Sequence, residues 1–280
     1  MSDIPGAPHP LAGKRILVCG KGGSGKSTLV ALMATSLLHR GYEVLVLDGD
    51  ASNPEGLVRL LFGGGVEAEP RPLIDFFGGI DVVTCPVDDP APLTRIGDTR
   101  PVPEYRVDLE RELPAEYFLA DRRLRLLQAG KIAEYGQGCD GPVEKVVRDF
   151  MVQGEAAQLI DTKAGVEHFG RRIPDRVDLL VTVLDLTLES VSIAARVARF
   201  CEAAGIDRLL FVVNKVGAPE ATALFLDKLG PEGERVIGYV PFDPRVQEAS
   251  LLGGTVPEGA AAAEIARILG RLEEAVRRSR

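Results

Sequence analysis

The nine residues Gly20-Lys21-Gly22-Gly23-Ser24-Gly25-Lys26-Ser27-Thr28 constrain this chain more than any other stretch. They fit G-x-x-x-x-G-K-[ST], a loop that binds phosphate where a strand passes into a helix. The flanks agree with that context. Arg15–Cys19 is an apolar run of buried-strand type, and Leu29, Leu32, Met33 and Leu37 mark one face of a following helix that Gly41 can close. The glycines let the N–H groups of Gly22, Gly23, Ser24 and Gly25 approach the phosphates, and the helix N-terminus adds its partial positive charge. Lys26 is expected to reach the β- and γ-phosphates, Ser27 to ligand Mg2+, and Thr28 to bond a phosphate through its hydroxyl. The ligands implied are ATP and Mg2+.

Strands and helices alternate along the rest of the chain, which predicts an α/β fold with a mainly parallel sheet covered on both faces. Strands are expected at 43–47, 81–85, 117–120, 124–129, 157–161, 177–184, 208–213 and 236–240. Helices are expected at 55–62, with Asn53-Pro54 as its cap and first position, from Pro142, at 188–204 and at 260–278. Residues 1–13 read as a flexible polar tail and 14–280 as a single domain. Six prolines between Pro86 and Pro114 exclude a long helix or a central strand and mark an irregular insertion over about 86–116. It reads equally as a linker or as a folded insertion.

At 280 residues, 45% hydrophobic and 26% charged, the chain has the composition of an ordinary globular protein. A net charge of −8 argues against broad electrostatic attraction to nucleic acid or anionic lipid, and no apolar run approaches membrane-spanning length. Cys19, Cys85, Cys139 and Cys201 are scattered singly, without zinc-type spacing, which suits a reducing cytoplasm. The terminal stretch 260–278 has helical apolar spacing; it reads as a packed helix in preference to a membrane-targeting one. Ligands of such sheets sit at the carboxyl ends of strands, where Asp48, Asp50 and Asp161 are expected.

The second lysine, Lys21, gives K-G-G-x-G-K-[ST], and this stretch resembles the deviant P-loop ATPases that include the Min and Par positioning ATPases and nitrogenase iron protein. The resemblance implies a SIMIBI-class P-loop fold and a nucleotide-dependent homodimer in which Lys21 reaches the partner's phosphates, by the logic of an arginine finger. It also implies Asp161 as the acid holding Mg2+ through water, Asp48 as a holder of the ion's hydration shell, and Asp50 as the group that orients or deprotonates the attacking water. Asp161-Thr162-Lys163-Ala164-Gly165 resembles the family's switch II. Asn214 and the Pro241-Phe242-Asp243 turn match positions that recognise adenine.

The continuation Ala164-Gly165-Val166-Glu167-His168 is similar to the CooC-type accessory ATPases of nickel carbon monoxide dehydrogenase. That similarity implies a metalloenzyme client and a nickel or zinc ion held at the dimer interface by a Cys-x-Cys. Here the position reads Cys139-Asp140-Gly141, so one thiolate per protomer remains, with Asp140 as an oxygen donor. Cys139 is accordingly expected to be an ordinary loop cysteine. Two other readings compete: a positioning ATPase of the Min/Par class, which the acidic charge and Glu167-His168 oppose, and an iron–sulfur reductase, which needs two suitable cysteines per subunit.

Overall fold

The computed structural model describes residues 9–52, 56–66, 68–132, 134–135 and 138–278. Among them, eight strands form one sheet in the order β3-β4-β2-β5-β1-β6-β7-β8. The strands are β1 (Arg15–Gly20), β2 (Val44–Gly49), β3 (Phe118–Asp121), β4 (Leu124–Gln128), β5 (Ala157–Thr162), β6 (Leu179–Leu184), β7 (Leu209–Val216) and β8 (Val236–Pro241). Every neighbouring pair is parallel except the edge hairpin β3–β4. The main helices are α1 (Lys26–His39), α2 (Gly56–Phe62), α3 (Gly141–Asp149), α4 (Leu188–Ala204), α5 (Pro219–Leu229), α6 (Pro244–Leu252) and α7 (Ala260–Arg278).

Continuous apolar runs such as Ile16-Leu17-Val18-Cys19 suit strands covered on both faces, because successive side chains point to opposite sides. Ile16 and Val18 pack into one core with Leu29 and Met33 of α1 and Ile265, Ile268 and Leu272 of α7. Leu17 and Cys19 pack into the other, with Val143 and Val146 of α3 and Ala194 and Val197 of α4. The apolar stripe of α7 is therefore spent on the core. Among the described residues no helix is long and apolar enough to cross a membrane.

Two local expectations need revision, and one open alternative closes. Residues 81–85 form turns rather than a strand: the N–H groups of Val82 and Val83 both donate to Gly79 O, and those of Asp88 and Asp89 to Cys85 O. Gly78-Gly79 before the run and Pro86 after it bend the chain away from the sheet, and Val82 stays exposed. The Pro-rich insertion is folded. Leu93, Val102, Val107 and Leu113 are buried in the α3/α4 core, and Leu93 N–H donates to the buried Asp149 carboxylate at 2.8 Å. At the start of the chain, Leu11 is fully buried and Gly13 N–H donates to Glu155 O, so packing begins earlier than residue 14. The expected Asn53-Pro54 cap and residues 1–8 lie outside the described residues.

Candidate functional site

The parallel strands present their carboxyl ends at one edge, and the expected site residues gather there. The loop after β1 turns into α1 through Gly25, whose φ of 95° a side chain rarely adopts. A Cβ there would stand 2.3 Å from Asn214 Nδ2. Asn214, from β7, donates that amide to Ser24 O at 2.8 Å, and Lys215 Nζ donates to Gly23 O at 2.7 Å. The loop is thus held open by side chains from a strand two places away in the sheet. Lys26 opens α1 and folds back, its Nζ donating to Lys21 O at 3.1 Å.

Beneath the loop, Ser27 Oγ donates to Asp161 Oδ2 at 2.5 Å. Asp161 Oδ1 is buried without a protein partner, as is Ser24 Oγ. Burial, and then the charge of Asp48 alongside, push the Asp161 carboxyl up to about 7. An orphaned carboxylate oxygen beside a serine hydroxyl is a donor set that fits a hard divalent cation. Asp48 sits across from Asp161 in the β2–β5 register. Burial raises its carboxyl, while Lys131 Nζ opposes that by donating to Asp48 Oδ2 at 2.7 Å; the same amine donates to Asp50 O. Asp50 N–H donates to Asp48 Oδ1, and Asp50 Oδ1 accepts from Ser52 N–H and Oγ.

Two cavities open over these groups. The first, about 770 Å³, is lined by Gly22, Gly23, Gly25, Lys26, Asp50 and others, with residues 250–254 opposite. The second, about 460 Å³, is lined by Asn214, Val240, Pro241, Phe242, Asp243 and Val246. Thr28, Ser250 and Leu251 line both. A polar cavity continuous with a more apolar one suits a nucleotide, with phosphates in the first and base in the second. The Asp243 carboxylate is committed locally: it caps α6 through Arg245 N–H and faces the Arg245 guanidinium.

Lys21 points the other way. Its Nζ lies 3.1 Å from Asp185 Oδ2, 3.4 Å from Glu189 Oε2 and 3.2 Å from Thr187 Oγ1, at the N-terminus of α4. The hydrogen bond with Asp185 is the main reason its amine is held above the ordinary lysine value.

The model of the CobQ/CobB/MinD/ParA nucleotide-binding domain matches residues 16–256, nearly the whole sheet and all of the site. The chain belongs to that family. Within this CobQ/CobB/MinD/ParA family, an uncharacterized ATP-binding protein of Methanocaldococcus jannaschii is 31% identical, over 85% of this chain and 92% of its own length. The carbon monoxide dehydrogenase accessory protein CooC of Rhodospirillum rubrum is 29% identical, over 85% of this chain and 88% of its own. Among solved structures, the septum site-determining protein MinD of Pyrococcus horikoshii, complexed with Mg-ADP, superposes with a TM-score of 0.63 at 18% identity. It covers 94% of this chain and 96% of its own.

Seen as a member of the CobQ/CobB/MinD/ParA family, the chain carries site residues that motif reading missed. Lys131 follows the carboxyl end of β4, beside the β2 and β5 ends that carry Asp48 and Asp161, so the same strand-end logic applies to it. Lys215, in the Val213-Asn214-Lys215-Val216 run, and Asp185 become visible as site residues only through their partners. After β5, Gly165 N–H donates to Gly20 O at 3.2 Å, joining the segment expected as switch II to the loop. His168 is buried with both ring nitrogens lacking protein partners, and burial pushes it down to about 3, so it is neutral at physiological pH. Cys139 is exposed in the loop before α3. Asp140, expected as an oxygen donor to a metal, is already ion-paired with Lys163 and, at 3.0 Å, with Arg171. Among the described residues no three His, Cys, Asp or Glu side chains are grouped to hold a metal ion.

Proposed function

We propose that this chain is a dimerising ATPase that hydrolyses ATP to assist the maturation of a metalloenzyme of the nickel carbon monoxide dehydrogenase type. The observation that carries the ATPase is the hydrogen bond from the half-buried Ser27 to the buried Asp161, whose other oxygen is orphaned, at the foot of the loop that holds Lys26. The triphosphate lies in the larger cavity and adenine in the smaller one, against Asn214 and the backbone of Pro241, Phe242 and Asp243. Lys26 leaves Lys21 O for the phosphate oxygens. Gly22, Gly23, Ser24 and Gly25 offer N–H groups, and Thr28 its hydroxyl. Ser27 and Asp161 would hold Mg2+ and Asp48 part of its hydration shell, and the ion would supply charge neutralisation of the phosphates. Asp50 accepts a proton from the water that attacks the γ-phosphorus as the bond to ADP breaks. Lys21 leaves Asp185 and Glu189 to meet the phosphates bound by the second protomer.

The metalloenzyme part rests on the likeness to CooC and on the Ala164-Gly165-Val166-Glu167-His168 run. A positioning role is less well supported, since α7 has no free apolar face. The direct test is reconstitution. Nickel-free carbon monoxide dehydrogenase supplied with Ni2+ and MgATP should gain activity faster with this protein than without it, and ADP should not replace ATP. No gain with a protein that hydrolyses MgATP would remove the client and leave the ATPase.

A further inference from the structure

Gly141, the first residue of α3, has no side chain, and the space where one would stand is taken by sulfur. A Cβ built there would lie 2.6 Å from Cys85 Sγ and 3.4 Å from Cys139 Sγ. These two distances put the sulfurs at most about 6 Å apart, against about 4 Å for two thiolates that share one tetrahedral ion at bonds of ~2.3 Å. The residues are 54 positions apart in the sequence and come from different segments, the turn that opens the insertion and the loop before α3. Their approach is a product of the fold.

Both sides of the gap are fixed. Lys145 of α3, itself buried, donates to Thr84 Oγ1 at 3.3 Å and to Asp89 Oδ2 at 2.8 Å, which clamps the Cys85 turn onto the helix. On the other side Asp140, next to Cys139, is gripped by Lys163 and Arg171. Cys139 is exposed and Cys85 half-buried, so an ion can enter. The other two cysteines do not compete. Cys19 and Cys201 are buried, which pushes their thiols up to about 12 and about 11.

We propose that Cys85 and Cys139 form a two-thiolate chelate for a thiophilic divalent cation of the zinc, cadmium or nickel class, one chelate in each protomer. On binding, each thiol gives its proton to solvent and each sulfur bonds the ion; no electron moves. Two protein ligands leave coordination positions open, which suits an ion that is carried and passed on rather than one locked in as structure. The chelate rests on the metalloenzyme reading above only for the ion's destination. It stands or falls on the two sulfurs.

Cadmium is the probe, because thiolate coordination gives an ultraviolet charge-transfer band. The reduced full-length protein, kept in a phosphine reductant, is titrated with Cd2+ alone. The expected result is a thiolate band saturating at no more than one ion per protomer, with proton release. Cys85→Ser and Cys139→Ser should each weaken binding ~10–100-fold or more. Gly141→Ala should also weaken it ~10-fold, because its Cβ would displace the Cys85 sulfur. A band that survives Cys85→Ser, an affinity unchanged in Gly141→Ala, or no band in the parent would overturn the proposal. Should Cys85→Ser not fold, the parent treated with phenylarsine oxide decides. One arsenic bridging the peptides that carry Cys85 and Cys139 supports the chelate, and arsenic on either alone refutes it. MgATP turnover is followed in parallel: lost turnover with intact cadmium binding counts against the ATPase, and the reverse against the chelate.

Discussion

The segment from Arg15 to His39 and the segment from Gly78 to Tyr117 contrast in how they are held. In the first, the elements are set by neighbours in sequence, a buried strand, a glycine turn and a helix whose first residue is the lysine, and Asn214 and Lys215 of β7 then steady the loop. In the second there is no regular element longer than one helical turn. Its conformation is set by distant partners, such as Asp149 receiving Leu93 N–H and Met151 O receiving Val107 N–H. The first region is preorganised to bind and the second is anchored to fit. Substitutions in the first should therefore cost activity and spare stability, and those in the second should do the reverse.

The largest effect is expected at Asp50. Asp50→Ala should slow MgATP hydrolysis ~10²–10⁴-fold and leave nucleotide binding and melting temperature near the parent's, because a proton acceptor is lost and no packing is. Steady-state turnover beside calorimetry of ATP binding checks this, and unchanged turnover would make Asp50 a turn residue. Lys26→Ala should weaken ATP affinity by ~10²-fold, about 2.7 kcal/mol, since charge-assisted bonds to phosphate are lost. Calorimetry finding affinity within twofold of the parent would break the assignment of the loop.

On the other side of the comparison, Leu93→Ala should destabilise the protein by ~2–4 kcal/mol in urea unfolding, while the folded fraction binds ATP as the parent does. A stability change below about 0.5 kcal/mol would mean that the insertion is only draped on the core.

The pH response tests the cradle without altering ATP. The Asp161 carboxyl sits near 7 in the fold and ~3.9 in an unfolded chain, so between these values the folded protein holds the extra proton. Without nucleotide, stability should fall as pH rises from about 4 through 7, and Asp161→Asn should flatten that slope in thermal melts. MgATP binding, which needs the carboxylate, should strengthen over the same interval. The smallest effect is expected at Asp185. Asp185→Asn removes the main partner that holds Lys21 within its own chain, and ATP-dependent dimerisation should tighten by ~2–5-fold in light scattering, about what a partly exposed ion pair is worth.

The same contrast explains what was legible in the sequence. The β1–loop–α1 unit, the acids at the ends of β2 and β5, and helices 188–204 and 260–278 were readable because apolar period, glycine and chain order coincide there. The run at 81–85 misled because Val82 and Val83 mimic a strand, while the decision lay with Gly78-Gly79 and Pro86. Cys85 was unreadable for a different reason. Its relation to Cys139 passes through an absent side chain at Gly141, and no spacing rule records a space. Lys21 lay between these cases: its presence was plain, but Asp185 and Glu189, which hold it in the single chain, follow a strand more than 150 positions away.

The far end of the chain reaches back to its beginning. Arg40 donates to Glu273 across 233 positions, Tyr42 hydroxyl donates to the same carboxylate, and α7 closes the core over α1. During synthesis, the loop at residues 20–28 leaves the ribosome among the first segments, yet the side of α1 that meets α7 stays uncovered until α7 emerges. Contacts so distant in sequence form late and slowly. A nascent chain therefore completes the core on that side of α1 only with the closing helix.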